Sequence, residues 1–344
     1  MRIVFYADDP RWSQLSNGGG TRTVIKSAQT LRELGHKVSI VAHKDRYTWE
    51  KHHKPIHSVP KNTDILIAVT ISDVKHVMKY KGMRIVYWSR PVECNTKGHK
   101  WQMSQKKALA TLRTFKKHKG IVISNSSWQI DWLKKHGIKS HLVYSGKDLT
   151  CVDPKTRTDW FDGYPLSLFC QYSDNPVKGW KEFVNISKLC GDKYDYFAFG
   201  SKKCKAFKFA KKPSLTAYKF LTNYWQNPSR EDLNFTYQCK DIFFCTSKRE
   251  GFYNCGAEAA MNGCLLIGNS NSKNGCGDYL TPETGYIYNN INEVPALLKS
   301  LDIRHRTHDK MDEVIEKVTN CQKLIIEKIG SRSDCMKRMV KILK

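Results

Sequence analysis

Short apolar runs alternate with longer amphipathic stretches along most of the chain. Arg2-Ile-Val-Phe-Tyr6 opens it as a buried-type strand. After a loop ending in Gly18-Gly19-Gly20, the apolar positions Val24, Ala28, Leu31 and Leu34 recur at helical spacing. Gly35 stops that helix, and Val38-Ser-Ile-Val-Ala42 is the next strand. Residues 64–69, 84–87, 120–124 and 141–144 read as further strands, with a helix over 127–136 that Gly137 ends. A second alternating set starts at Leu166-Ser-Leu-Phe-Cys170 and continues through 194–199, 241–247 and 264–268. Strands separated by helices predict parallel sheets with crossover connections. The expected class is therefore α/β, with two Rossmann-like doubly wound domains over 1–150 and 166–330 that face each other across a cleft. A polar, Pro-containing stretch over 151–165 reads as the linker. The tail from Asp312 reads as helical, and its last piece, 331–344, carries a stripe of Met336, Met339, Val340 and Leu343.

Between Arg249 and Gly263 the chain reads R-E-G-F-Y-N-C-G-A-E-A-A-M-N-G. Glu250 closes the strand over 241–247. Glu258 falls about one turn into a helix that Asn254 can cap and Gly263 can end. A strand, a short glycine-containing loop and a helix N-terminus form an anion site with outward backbone N–H groups. A carboxylate at the mouth of such a site suits a ligand that carries both phosphate and hydroxyls, as a nucleotide-sugar does.

The segment resembles the E-x7-E motif of retaining glycosyltransferases of the family-4 type, which have the GT-B fold. Other pieces are similar to that family in order along the chain. They are the Gly18–Gly20 loop with its helix, Tyr144-Ser-Gly-Lys-Asp148, Lys178-Gly179-Trp180, Asn274-Gly-Cys-Gly277 and Gly285-Tyr-Ile-Tyr288. The resemblance implies that Glu250 contacts sugar hydroxyls and Glu258 the ribose. It implies that Gly251, Phe252, Tyr253, Asn254 and Cys255, with Gly19 and Gly20, bind the donor. Lys178 would neutralise the diphosphate leaving group, which makes Glu250 and Lys178 the expected catalytic residues. The donor is expected to be a UDP-sugar acting as co-substrate, with no cofactor and no metal. The first 150 residues would bind the acceptor, and the terminal helix over 331–344 would return to that domain. Two departures stand out. Residues 171–175 lack the Arg the family usually has before the Lys. Residues 87–93 lack a cleft His, so that Ser89, Arg90 and Glu93 stand in its place.

Charge bears on the acceptor. Fifty-eight Lys and Arg against thirty-two Asp and Glu give +26, a field that attracts polyanions. From Lys97 to Lys119 no acidic residue occurs, and Lys100, Lys106 and Lys107 stand there with Trp101. Two more clusters, 44–54 and 202–212, mix cations with aromatics. This pattern resembles the phage enzymes that glucosylate hydroxymethylated pyrimidines in DNA, which makes DNA the first expected acceptor. An acceptor on a polysaccharide or lipid carrier at an anionic membrane surface is the second. A catalytically decayed GT-B scaffold that only binds nucleic acid is the third. Twelve cysteines without a C-x-x-C pair, an N-terminus that enters a strand at once and the lack of a long apolar run predict a cytoplasmic protein with reduced thiols.

Overall fold

The computed structural model describes residues 1–7, 14–16, 18–89, 104–147, 149–153, 165–200, 221–272, 274–302 and 308–344. Arg90, Glu93, Lys100, Trp101, the 202–212 cluster and most of the expected linker lie outside the described residues. The chain divides into two units. Unit 1 is Met1–Asp148 with Glu250–Phe252 and Ile329–Lys344, and unit 2 is Leu149–Arg249 with Tyr253–Lys328.

Unit 1 contains β1 (Arg2–Tyr6), β2 (Gln14–Ser16), α1 (Gly19–Glu33), β3 (Lys37–Val41), β4 (Lys44–Arg46), β5 (Ile65–Ala68), α2 (Asp73–Val77), β6 (Arg84–Ser89), α3 (Gln105–Lys117), β7 (Ile121–Ser124), α4 (Ser127–Lys135) and β8 (His141–Leu142). Six strands form one sheet in the order β3-β1-β5-β6-β7-β8, parallel at every pair. β2 and β4 pair separately. Because β1 lies between β3 and β5, the strand order reverses beside β1, at the head of the loop that leads to Gly18–Gly20. One face of α3 supplies Ala108, Leu109, Leu112 and Phe115 to a core shared with Val4, Leu66 and Val122. Its apolar side is therefore used up inside the unit.

Unit 2 contains β9 (Ser167–Gln171), α5 (Trp180–Cys190), β10 (Asp195–Gly200), β11 (Leu221–Gln226), α6 (Arg230–Gln238), β12 (Ile242–Cys245), α7 (Asn254–Met261), β13 (Leu265–Asn269), β14 (Tyr286–Tyr288), α8 (Val294–Leu301) and α9 (His308–Leu324). Its six-stranded parallel sheet runs β11-β10-β9-β12-β13-β14. The order reverses between β9 and β12, whose apolar runs pair at Leu168 with Ile242 and Phe169 with Phe243. At the opposite, N-terminal end of this pair, the buried Asp241 carboxylate accepts from the Ser167 N–H at 2.8 Å and its hydroxyl at 2.7 Å. The expected α/β class with two doubly wound parallel sheets is thus what the chain adopts.

The tail is less continuous than its sequence pattern suggests. α9 passes into a π-helical turn, Ile325–Ile329. Gly330, at φ +79°, then breaks the run. A further helix, α10 (Arg332–Leu343), starts at Ser331, whose hydroxyl accepts from the Asp334 N–H at 3.1 Å. α10 buries Cys335, Met336, Met339 and Leu343, packs on α1, and accepts at the Leu343 carbonyl from Arg84.

Candidate active site

In an open α/β sheet, ligands bind beyond the C-terminal ends of the strands where the order reverses. In unit 2 that point lies between β9 and β12, so the loops that leave these strands define the candidate site. After β9, the Asn175 side chain accepts from the Val177 N–H at 3.0 Å and caps a single 3₁₀ turn, Pro176–Lys178. Gly179 follows at φ +72° and hands the chain to α5. Lys178 is therefore the last residue of a short fixed turn at the head of the sheet, with its side chain partly exposed.

The loop after β12 is bonded directly to that turn. The Lys248 N–H donates to the Val177 carbonyl at 2.7 Å, and the Thr246 and Ser247 hydroxyls donate to the Lys178 and Val177 carbonyls at 3.2 and 3.3 Å. The third loop, after β13, joins through Asn274, whose side-chain amide donates to the Ser247 carbonyl and accepts from the Cys276 N–H at 2.9 Å. A small cavity of about 100 Å³ opens among Cys245, Gly268, Asn269, Asn274 and Gly277.

α7 begins at Asn254, with Tyr253 at the cap position and no cap hydrogen bond from the Tyr253 side chain. The expectation that Asn254 caps this helix is thereby corrected. The register is fixed elsewhere: the buried Tyr279 hydroxyl donates to the Tyr253 carbonyl at 2.6 Å. Gly256 fits beneath it, since a Cβ there would stand 2.6 Å from the Tyr279 oxygen and 3.0 Å from Cys245 Sγ. The first turn of α7 contains no acidic residue, so its N–H groups and dipole keep their positive character. Gly263, at φ +89°, ends the run as its sequence position suggests.

Glu258 stands on α7, and its Oε2 accepts from Arg230 Nη1 at 2.9 Å. Burial pulls the Arg230 guanidinium down, but the Glu258 charge outweighs it and leaves the group above its ordinary value. The sequence pattern did not point to Arg230. The one local signal was Ser229 with Asp232, the capping box that starts α6.

Glu250, Gly251 and Phe252 belong to unit 1. The Trp128 indole on α4 donates to the Glu250 and Gly251 carbonyls at 2.7 and 3.2 Å. Phe252 is buried, edge-on to Tyr144 at 5.8 Å and under Lys147 Nζ at 5.1 Å. The indole grips the main chain of Glu250, not its carboxylate.

Elsewhere in unit 1, Gly19 and Gly20 are the exposed first residues of α1. Close to them in sequence, Arg22 donates twice to Glu50 Oε1 at 3.0 Å, and Tyr47 donates to Oε2 at 3.1 Å. Burial raises the Glu50 carboxyl, but Arg22 and Lys26 overcome it and hold it below its usual range. Tyr47 and Glu50 belong to the 44–54 cluster noted in the sequence, but no local pattern shows the bonds of Glu50 to Arg22. Ser89 ends β6 as a buried residue whose hydroxyl accepts from Gln129 at 3.3 Å. Lys106 and Lys107 stand on the exposed face of α3 with Arg113, Lys116 and Lys117. At the start of this helix Gln105 approaches His136, the residue that follows α4, at 3.5 Å. His141 on β8 is lowered by burial and then by the charges of Lys139 and Lys116. Ser89 and the α3 lysines are thus differently disposed, one inside the unit and the others on its surface.

No protein-family model matches the chain, and no curated protein matches it in sequence. Solved structures do match in fold. HepE of Anabaena, solved with UDP, superposes at a TM-score of 0.73 with 13% identity, covering 100% of this chain and 99% of its own. HepE has also been solved with UDP-glucose. Sucrose-phosphate synthase of Thermosynechococcus elongatus gives 0.73 at 12% identity, covering 99% and 98%. A glycosyltransferase of Rickettsia africae gives 0.66 at 15%, covering 100% and 97%. These are GT-B glycosyltransferases, and the chain has the GT-B fold.

Proposed function

We propose that the protein is a retaining hexosyltransferase of the family-4 type that takes its sugar from a UDP-sugar. One observation carries the donor side: the Lys178 turn and the loop leading to Glu250 are bonded together at the strand-order reversal of the second sheet. An ammonium and a helix start without acidic residues near one reversal point are what a departing diphosphate needs. The UDP and UDP-glucose complexes of HepE support uridine as the nucleoside of the donor.

In this reading the diphosphate lies against the first turn of α7, and Lys178 takes up the negative charge that develops as the glycosidic bond to phosphate breaks. Glu250 holds the hexose by its hydroxyls, an orienting role that needs no proton transfer. Trp128 fixes the main chain from which that carboxylate projects. Glu258 binds the ribose.

For the acceptor, the α3 face favours one of two polyanionic surfaces. Its apolar residues are buried in the core of unit 1, so the helix has no stripe left to insert between lipids. Its exposed cations suit phosphates that stay in water, which favours DNA with hydroxymethylated pyrimidines over a membrane-bound carrier. The test is incubation with radiolabelled UDP-hexoses and hydroxymethylated DNA, plain DNA or membrane extract. Label is expected in hydroxymethylated DNA. DNA affinity is expected to fall about 10³-fold from 50 to 200 mM salt if about six phosphates are neutralised. Label only in the lipid fraction would reject the DNA acceptor, and no transfer or donor hydrolysis with any UDP-hexose would reject the enzyme.

A further inference from the structure

Arg230 is the first residue of α6, and three features hold it in place. Ser229 and Asp232 form a reciprocal cap, with the Asp232 N–H donating to the Ser229 hydroxyl at 3.0 Å and the Ser229 N–H to the Asp232 carboxylate at 3.3 Å. Asn227, at φ +52°, turns the chain sharply out of β11. Its N–H donates to the carbonyl of Gly200, the last residue of β10, at 2.7 Å. The guanidinium is thus anchored at the C-terminal edge of the sheet, the edge to which the Lys178 turn also belongs. From there it reaches Glu258 at 2.9 Å, and both side chains are largely withdrawn from water, at 27% and 13% exposure.

About two turns along α6 from Arg230, Tyr237 is fully buried, and its hydroxyl has no hydrogen-bond partner among the described residues. The groups acting on that hydroxyl, after burial itself, are Cys255, Glu258 and Arg230. The carboxylate therefore has a cation against one oxygen and the buried Tyr237 within reach of its charge. A Glu on the first turns of an isolated helix would sample several rotamers, whereas this one is held by the Arg230 guanidinium.

We infer that Arg230 is a positioning residue for ribose recognition: by holding Glu258 Oε2 it sets the carboxylate to receive the 2′- and 3′-hydroxyls of the nucleoside diphosphate. This deepens the proposed function and rests on its donor site. Arg230 would also place a second fixed cation on the donor side of the sheet, where residues 171–175 supply none.

A purely structural ion pair would affect folding without regard to the sugar of the nucleotide. A positioning pair acts on the difference between ribose and deoxyribose. Binding of UDP and of 2′-deoxy-UDP to the full chain separates the two, measured by calorimetry for the wild type, Arg230→Ala, Arg230→Lys and Glu258→Gln, with thermal midpoints recorded for each. The wild type is expected to prefer UDP by about ten-fold or more, as a site built to bond a hydroxyl rejects its absence. Arg230→Ala is expected to lose most of that preference and to raise the KM for donor more than it lowers kcat, with Arg230→Lys restoring part of both. Should the wild type bind UDP with a ribose preference that Arg230→Ala retains, Arg230 is not a positioning residue. Should Arg230→Ala not fold, an unchanged preference in Glu258→Gln and Arg230→Lys overturns the inference in the same way. A wild type that binds no UDP removes the donor site itself and the inference with it.

Discussion

Replacing Lys178 by Ala is expected to lower the turnover of donor by about 10²-fold or more, with the fold and thermal midpoint preserved. A 10²-fold loss corresponds to about 2.7 kcal/mol of transition-state stabilisation. A helix N-terminus contributes about 0.3 to 1 kcal/mol at a surface position, too little to carry the leaving group alone. The point charge of an ammonium, held by a short turn at the sheet head, therefore contributes more than the helix does. The turn itself does not depend on the Lys178 side chain, since Asn175 caps it and its carbonyls receive Thr246, Ser247 and Lys248. Steady-state kinetics with the preferred UDP-hexose check this, and Lys178→Arg should recover only part of the rate, because a planar guanidinium does not reproduce a compact charge. Glu250→Ala is expected to lose a comparable factor by releasing the sugar, since the main chain of Glu250 stays pinned by Trp128. Near-normal rates in both variants would remove the assignment of the site.

Gly179→Ala is expected to be the most damaging single-methyl change in unit 2. A Cβ at this position would lie well inside van der Waals contact of the Thr246 carbonyl oxygen and 2.6 Å from its carbonyl carbon. The backbone φ of +72° adds strain for any L side chain. Neither obstacle relaxes cheaply, because the colliding atoms are main chain and the same segment carries the bonds that join the two loops. Left-handed strain and overpacking together amount to about 3 kcal/mol or more. Denaturant unfolding should show that loss. If the protein survives it, activity should fall with it, since the loops after β9 and β12 must part to make room. A variant as stable and as active as the parent would mean that the two loops are not bonded as described.

How much of this was legible in the sequence differs from element to element. β9, β12 and β13 announce themselves as bounded apolar runs, and their alternation with helices was enough for the α/β class. Gly263 marks the end of α7 because a left-handed residue just past a helix is most often glycine. The apolar pattern does not reveal β11 or α6. β11 follows a Lys-rich stretch, and Arg-Glu-Asp-Leu-Asn-Phe-Thr-Tyr-Gln buries only Thr236 and Tyr237, so its periodicity is faint. With α6 went Arg230 and its bond to Glu258, twenty-eight positions away. The start of α7 is not legible locally either, because Tyr253 at its cap position is held by Tyr279, which no local pattern reveals. The same holds for Glu250–Phe252, which pack with unit 1 through Trp128 and Tyr144 although they lie deep in the second half of the sequence. The break at Gly330 did have a local signal, a glycine followed by Ser331 and, three residues on, Asp334.

A crystal structure with UDP bound is the most direct test of a donor site at the heads of β9 and β12. The β-phosphate is expected within hydrogen-bonding distance of Lys178 Nζ and of main-chain N–H groups in the first turn of α7, with the ribose at Glu258. A nucleotide seated elsewhere on the chain, or phosphates that touch neither Lys178 nor that turn, would contradict it.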